Sequence, residues 1–220
     1  MILYLVVFSL VSYLMGSVPF SFIAGKLFKG IDLRELGSGN LGATNTYRML
    51  GLGTALLVGI MDASKAFLPV LFFPGIVLSL SQTPGSDMIA GTQTLIVLKM
   101  ALGLCVISGH IWTVFLKFKG GKGVTTAFGV FLAIAPLASS VSLLIWILIL
   151  YISKTVSLAS VTTAVLFPVF LLLFRKNLLG SEFMLFVFSL AVAILVIYTH
   201  RSNIKRLLKA EEKSIGREEK

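Results

Sequence analysis

Long apolar runs separated by short polar segments dominate the pattern of this 220-residue chain. A membrane-spanning helix needs roughly 20 mostly apolar residues, and seven runs reach or approach that length. They cover about 2–25, 51–74, 94–116, 124–138, 140–153, 155–174 and 182–199. No run alternates polar and apolar residues with a period of two, so the pattern predicts helices and not the strands of a barrel.

The fourth and fifth runs are short and meet near Pro136, which leaves room for a tilted or re-entrant helix there. The pattern as a whole predicts an all-α integral membrane protein, a polytopic bundle of about seven transmembrane helices. We expect one helical domain over residues 1–200 and a basic, mixed-charge tail over 201–220, frayed from residue 210 onward.

Composition supports the membrane class, because 57% of the residues are hydrophobic and only 13% are charged. Soluble domains keep roughly a quarter of their residues charged. The net charge is +10, and 15 of the 19 Lys and Arg residues lie in segments that share one predicted side. Such an excess marks the cytoplasmic side. We therefore predict an inner (plasma) membrane protein with an external amino terminus and a cytoplasmic carboxyl terminus.

The connections predicted on the outer side, 75–93 and 175–182, carry few charges and simple turn signals. The connections predicted on the inner side differ, because three polar segments there contain candidate substrate-binding and catalytic residues. We call them segment 1 (residues 37–48), segment 2 (109–126) and segment 3 (200–208). Their sequences are GSGNLGATNTYR, GHIWTVFLKFKGGKGVTT and HRSNIKRLL.

Segment 1 places three glycines among small hydroxyl and amide residues and ends at Arg48. Glycines let backbone N–H groups point at an anion, and an arginine can hold a phosphate with two parallel hydrogen bonds. A glycine-rich connection with snorkelling cations is the alternative. The density of phosphate-compatible side chains within eleven positions favours a phosphate site.

Segment 2 is a glycine-rich turn that enters a helix, a setting that suits phosphate. It is not a nucleotide-binding P-loop, because Gly123 stands where Ser or Thr should follow Lys122. Positive-inside anchoring would explain its lysines but not the glycines between them. Segment 3 is basic and juxtamembrane, which alone favours anchoring to lipid headgroups.

Smaller features have structural interpretations as well. Asp62 and Lys65 lie three residues apart inside the second run, and we expect an ion pair that orders the helix. Ser157 begins the sixth run, where bonding to its own helix is the default. The small residues Gly16, Ser17, Pro19 and Ser21 indicate a packing seam.

Several site classes find no support in the residues. Two histidines and one cysteine, without metal-ligand spacing, predict no metal site and no cofactor. Neither His110 nor His200 is followed by the Asp of a His-x4-Asp acyltransferase signature. No acid is evident in the sequence to orient His110. The net charge could indicate a nucleic-acid or anionic partner, but its distribution indicates membrane topology first, and we expect no nucleic-acid partner and no required protein partner.

Segments 1 to 3, in this order among seven apolar runs, resemble the bacterial acyl-phosphate:glycerol-3-phosphate acyltransferases (PlsY-type) over nearly the whole chain. The resemblance implies transfer of a fatty acyl group from acyl phosphate to the 1-hydroxyl of glycerol 3-phosphate, the first step of phospholipid biosynthesis. Two departures exist. Ala210 stands where that family has Gly in a Gly-x-Glu pattern, which puts the role of Glu212 in doubt, and Ala66 replaces the Gly of Asp-x-x-Lys-Gly.

Together with the resemblance, the segments predict four catalytic residues, Ser38, Arg48, His110 and Lys122. The predicted substrate-binding residues are Gly39, Asn40, Gly42, Thr44, Asn45, Lys119, Gly120, Gly121, Gly123, Thr125, Ser157, His200, Asn203 and Arg206. Either His110 or a substrate phosphate accepts the proton of the attacking hydroxyl, and we favour the phosphate.

Two other function classes are open from the residues alone. An anion transporter or channel would also use intramembrane charges and basic loops, but it predicts polar residues along a continuous path. The apolar runs offer few such residues. A structural or assembly protein leaves the glycines and amides of the polar segments unexplained.

Overall fold

The computed structural model describes residues 1–81, 88–175 and 182–215. All regular structure in these residues is helical, and the predicted helical membrane fold is confirmed. The chain divides into two compact units, Met1–Ile134 and Ala135–Lys220. The prediction of one domain over 1–200 stays a prediction.

The first unit contains six α-helices and one short 3₁₀ turn within its described residues. The helices are α1 (Ile2–Ser17), α2 (Phe20–Lys29), α3 (Ala43–Leu50), α4 (Leu52–Leu80), α5 (Met88–Ile111) and α6 (Val124–Ile134), and the turn is Val114–Leu116. Helix α3 was not predicted, because it lies within a segment rich in Gly, Asn and Thr. The first apolar run is broken at Pro19, since the residue before a proline is disfavoured in helical conformation and Val18 is extended.

Helices α1 and α5 pack with their backbones in close approach. A Cβ atom added at Gly16 would overlap the backbone of Val106, and one at Gly109 would overlap the carbonyl oxygen of Tyr13. Ser17 and Ser21 are also buried. The predicted small-residue seam is therefore confirmed at Gly16, and it brings the end of α1 against the end of α5, where segment 2 begins.

The second unit contains α7 (Pro136–Ser153), α8 (Val156–Phe174), α9 (Phe183–Thr199) and α10 (Arg201–Leu208) among its described residues. Helix α8 packs against both α7 and α9. Trp146 on α7 donates to Ser160 Oγ on α8 (3.1 Å). The fourth predicted run ends earlier than expected, at Ile134, because Pro136 fits the first turn of a new helix and cannot continue the old one.

Five helical segments in the described parts of the chain are long and apolar enough to cross a membrane. They are Ile2–Lys29, Leu52–Leu80, Gln93–Leu116, Pro136–Ser153 and Val156–Phe174. Helices α9 and α10, bent by 64°, add a sixth if they form one span. Helix α6 covers only about 16 Å, roughly half of the hydrocarbon core. The predicted count of seven spans and the orientation of the termini stay predictions.

Apolar side chains remain exposed along the outer surfaces of these helices, as a hydrocarbon solvent allows. Ile2, Leu144 and Leu173 are examples, each at least 66% exposed. The outer connection predicted over 75–93 is shorter than expected, since α4 continues to Leu80. Residues 82–87 of that connection, Lys176 and the tail from residue 216 lie outside the described residues.

Candidate active site

Segment 1 is a loop that leads into α3, and Asn45 holds the loop in shape. The Asn45 side chain is buried, donates to the carbonyl oxygens of Leu33 (2.9 Å) and Leu36 (3.1 Å), and accepts from the Ser38 amide (2.9 Å). Gly37 has a positive φ of 64°, and a Cβ there would overlap Asn45 Oδ1. Asn45 therefore positions the loop, and its predicted contact with substrate stays a prediction.

The other predicted residues of segment 1 are accessible. Ser38 and Gly39 are exposed, and the half-buried ones are Asn40, Gly42, Thr44 and Arg48. Thr46, which was not predicted, is fully buried and lies 2.9 Å from Ser21 Oγ on α2. This hydroxyl pair attaches α3 to α2 and so fixes the helix that carries Arg48.

Segment 2 folds back onto the end of α5. The Gly120 amide donates to Ile111 O (3.0 Å), and the Gly121 amide donates to His110 O (3.1 Å). Thr113 Oγ1 donates to Ser17 O (2.5 Å) and ties the same turn to α1. The interpretation of this loop as free amides that face an anion is therefore wrong for Gly120 and Gly121, because the carbonyl groups of α5 already occupy both N–H groups.

The lysines Lys119 and Lys122 of segment 2 flank this turn. Lys119 is exposed, and Lys122 and Thr125 are half-buried. Gly123 has a φ of 82°, a conformation that favours glycine, and it immediately precedes α6. Segment 2 thus combines a rigid turn against α5 with accessible charged and hydroxyl groups at the start of α6.

A cleft in the first unit joins the break between α1 and α2 to both segments. Its lining includes residues 16–21, Leu41 of segment 1, and His110, Gly120 and Gly121 of segment 2. A Cβ at Gly121 would overlap both His110 Nε2 and Leu41 O, so segments 1 and 2 meet at this glycine. The predicted residues Gly120, Gly121 and His110 are thus brought together.

Three buried ionisable side chains share this cleft. Lys65 Nζ lies 2.7 Å from Asp62 Oδ1, and the predicted ion pair is confirmed. Lys65 Nζ also donates to Val18 O (2.8 Å) and lies 3.0 Å from His110 Nδ1. The sequence shows no acid that could orient His110, but in the structure Asp62 Oδ1 lies 3.7 Å from His110 Nδ1. In the sequence, the only signal for this cluster is the free-energy cost of placing charged side chains inside a membrane span.

The second unit gathers the predicted residues Ser157, Asn203 and Arg206 around one carboxylate. Ser157 Oγ (2.8 Å) and Asn203 Nδ2 (2.5 Å) donate to Glu212 Oε1, and Arg206 Nε donates to Oε2 (2.6 Å). Partial burial opposes ionisation, but these hydrogen bonds outweigh it and hold the pKa of Glu212 below its usual value. Ser157 therefore bonds across the unit and not to its own helix.

Glu212 is thus an ordered part of this cluster, although the sequence left its role in doubt. Ala210 adopts a φ of 56°, the left-handed conformation in which glycine is more usual. The Ile215 amide donates to Lys154 O (2.7 Å). The expectation of a frayed tail is therefore wrong for residues 210–215.

His200 lies at the bend between α9 and α10 and is buried, with an exposed fraction of 3%. Its Nδ1 atom donates to Val196 O (2.8 Å). This contact orders the bend, and the predicted contact of His200 with substrate stays a prediction.

Comparison with known proteins identifies the family of this chain. Residues 6–210 match the model of the glycerol-3-phosphate acyltransferase family. The chain belongs to that family. Glycerol-3-phosphate acyltransferases from Prochlorococcus marinus and Chlorobium phaeobacteroides are 43% and 38% identical to it. The alignments cover 94% and 96% of this chain and 93% and 96% of the relatives.

Two solved structures are similar over the whole fold. Both are crystal structures of PlsY, an integral membrane glycerol 3-phosphate acyltransferase. The glycerol 3-phosphate form has a TM-score of 0.79 at 36% identity and covers 96% of both chains. The lysophosphatidic acid form has a TM-score of 0.76 at 34% identity and covers 96% of this chain and 95% of that one.

The predicted acyltransferase activity and its place in phospholipid biosynthesis are confirmed by this membership. The transporter alternative finds no support. The acyl donor, the side of the membrane and the roles of individual residues are matters for proposal.

Proposed function

We propose that this acyltransferase takes its acyl group from acyl phosphate and transfers it to the 1-hydroxyl of glycerol 3-phosphate. The hydroxyl oxygen forms a bond to the acyl carbon, and the bond between that carbon and the phosphate oxygen breaks. The bonding electrons leave with inorganic phosphate, which takes up the hydroxyl proton. The other product is lysophosphatidic acid.

Family membership is the observation that carries this proposal, and the chemistry of the segments supports the choice of donor. Acyl phosphate is a mixed anhydride with a good leaving group, so positioning and charge stabilisation matter more than a strong nucleophile. The first unit offers accessible cations at Arg48 in segment 1 and at Lys119 and Lys122, which flank the glycine turn of segment 2. Both proposed substrates carry phosphate groups that such cations bind.

The proposed catalytic residues are Ser38, Arg48, His110 and Lys122. Arg48 and Lys122 stabilise phosphate charge, and Ser38 offers a hydroxyl at the exposed loop of segment 1. The remaining residues predicted from the sequence bind or position substrate, with Asn45 and Gly121 acting through the shape of their loops. The reaction requires no cofactor and no protein partner in this proposal.

We place the enzyme in the inner membrane with its site on the cytoplasmic face. The support is the concentration of 15 of 19 cations in segments of one predicted side. Glycerol 3-phosphate and acyl phosphate would then reach the site from the cytoplasm.

Phosphate release by the purified protein in detergent tests the donor. We expect inorganic phosphate and lysophosphatidic acid in equal amounts from acyl phosphate and glycerol 3-phosphate. Acyl-CoA and acyl carrier protein, each supplied as the alternative donor, should give no product. Lysophosphatidic acid formed from either alternative donor, with none from acyl phosphate, would contradict the proposal.

A further inference from the structure

The buried cluster of Asp62, Lys65 and His110 determines which nitrogen of His110 carries a proton. A lysine ammonium has three N–H donors and no acceptor. Lys65 Nζ has three partners at hydrogen-bonding or ion-pair distance, namely Val18 O (2.8 Å), Asp62 Oδ1 (2.7 Å) and His110 Nδ1 (3.0 Å). His110 Nδ1 must therefore accept, and the proton of the neutral ring resides on Nε2.

This arrangement is the reverse of the one found in a Ser-His-Asp triad. There a carboxylate accepts from Nδ1–H, so that Nε2 has a free lone pair and acts as the base. Here the separation of Asp62 Oδ1 and His110 Nδ1 is 3.7 Å, beyond hydrogen-bond distance. Lys65 Nζ is closer to both groups, at 2.7 Å from Asp62 Oδ1 and 3.0 Å from His110 Nδ1, and it donates to the ring.

The protonated nitrogen faces the place where segments 1 and 2 meet. His110 Nε2 lies beside the Gly121 backbone and Leu41 O, at the lining of the cleft. Among the described residues, no acceptor forms a hydrogen bond with Nε2. This N–H group is a donor that an oxygen atom of a ligand in the cleft can use.

No further ionisable group of the cleft changes this assignment. The cleft lining is described in full, and its only ionisable members are Asp62, Lys65 and His110. Segment 1 contributes Leu41, the break between α1 and α2 contributes residues 16–21, and segment 2 contributes otherwise uncharged groups. The side-chain amine of Lys65 is thus the one cation that faces the ring within this lining.

We propose that Lys65, with Asp62 balancing its charge, holds His110 as the Nε2–H tautomer, so that His110 donates a hydrogen bond to a substrate oxygen and is not the base. Lys65 and Asp62 are positioning residues that act through His110. The substrate oxygen belongs to the acyl carbonyl group or to a phosphate, and this identification rests on the proposed function. The hydroxyl proton then leaves with the departing phosphate.

Nitrogen NMR on protein labelled at histidine tests the tautomer without substrate. The chain has only two histidines, so loss of one signal set in His110→Gln assigns the ring. We expect Nδ1 unprotonated and Nε2 protonated throughout the range of about pH 6 to 8, where an ordinary histidine titrates. The paired variant Asp62→Leu with Lys65→Met, which leaves neither a lone buried charge nor a side-chain donor to Nδ1, should lose this fixed pattern.

Lys99→Met is the matched control, because Lys99 is also an intramembrane lysine but donates to Ala133 O (3.0 Å) and does not line the cleft. It should leave the His110 signals unchanged. Protonation of Nδ1 in the unaltered protein would overturn the proposal, and so would an unchanged pattern in the paired variant.

Turnover distinguishes a donor from a base. His110→Gln keeps an N–H group near the position of Nε2 and should retain kcat within about tenfold, whereas His110→Phe should lose about a hundredfold or more. Equal loss in both folded variants would mean that His110 is the base. If the NMR result holds but acyl phosphate is not a donor, the proposed function fails and the tautomer assignment stands. If acyl phosphate is a donor but the NMR result does not hold, this inference fails and the proposed function stands.

Discussion

Gly121→Ala should impair this enzyme through a steric conflict at the meeting point of segments 1 and 2. The added Cβ would overlap His110 Nε2 and Leu41 O. One of these atoms belongs to the backbone and the other to a ring held by Lys65 at 3.0 Å, so neither moves freely. The glycine has no positive φ, and the expected cost is therefore one of packing and not of backbone conformation.

Overpacking of this kind costs roughly 1–3 kcal/mol. For a chain of this size each kcal/mol lowers the melting temperature by about 2–4 °C, so we expect a decrease of roughly 2–12 °C. Turnover should fall by at least about tenfold, since each 1.4 kcal/mol of lost transition-state stabilisation is a factor of ten. Thermal unfolding in detergent and phosphate release measure the two effects.

Gly75→Ala is the matched control, because the same change inside α4 meets nothing within 4 Å. Alanine is favoured over glycine in a helix by about 1 kcal/mol, so this variant should be as stable as the unaltered protein or more so. A Gly121→Ala protein with normal melting temperature and normal turnover would refute the reasoning. The loop would then accommodate a side chain.

A double variant tests the named contact. If the His110 ring is one of the two obstacles, its removal in His110→Ala should reduce the further destabilisation caused by Gly121→Ala. Coupling energies between residues in contact are about 0.5–3 kcal/mol. Strictly additive losses in melting stability would mean that the alanine at position 121 does not press on the ring.

Three further predictions concern charge and topology. Arg48→Ala and Lys122→Ala should each reduce turnover about tenfold or more, since a charged hydrogen bond contributes roughly 1.5–3 kcal/mol. Lys176→Ala, the control, should leave turnover nearly unchanged. Equal losses in all three variants would indicate general destabilisation. Because the pKa of Glu212 is lowered on folding, its stabilisation is present above the ordinary glutamate pKa of 4.5 and lost as pH falls through the folded value. Glu212→Gln should therefore lower the melting temperature at pH 7 and make little difference in strong acid, and an equal difference at both pH values would contradict this. A reporter at the carboxyl terminus should be cytoplasmic and one near Gly85 external, and the reverse result would move the proposed site to the outer face.

The helices could be predicted from the sequence because apolar residues continue through each of them. Every predicted apolar run overlaps helical structure, but two boundaries set by proline were missed. Pro19 divides the first run, and Pro136 starts α7 earlier than the apolar pattern indicates. Helix α3 was missed because its sequence, ATNTYRML, has no apolar run and is stabilised by burial of Asn45 and Thr46.

The grouping of residues around the site could be predicted only in part. Segments 1 and 2 meet as their shared chemistry suggested, but the loop amides of Gly120 and Gly121 are bonded to α5. These hydrogen bonds depend on how the chain turns after residue 111, and the spacing of residues in the sequence does not indicate that turn. The contact of Lys65 with His110 joins residues 45 positions apart on two helices. Its existence depends on the packing of α4 and α5 and not on local sequence.

The pairing of Asp62 with Lys65 has a consequence for how α4 enters the bilayer. Each charged side chain near the centre of an inserting helix costs about 2.5–3.5 kcal/mol on insertion scales. Asp62 and Lys65 both lie near the middle of the 29-residue α4. Because they are three residues apart on one helix and 2.7 Å apart, the charges can neutralise each other within that helix. Helix α4 can therefore be inserted as an electrically neutral segment before Val18 O, at the break between α1 and α2, and His110 on α5 have packed beside it.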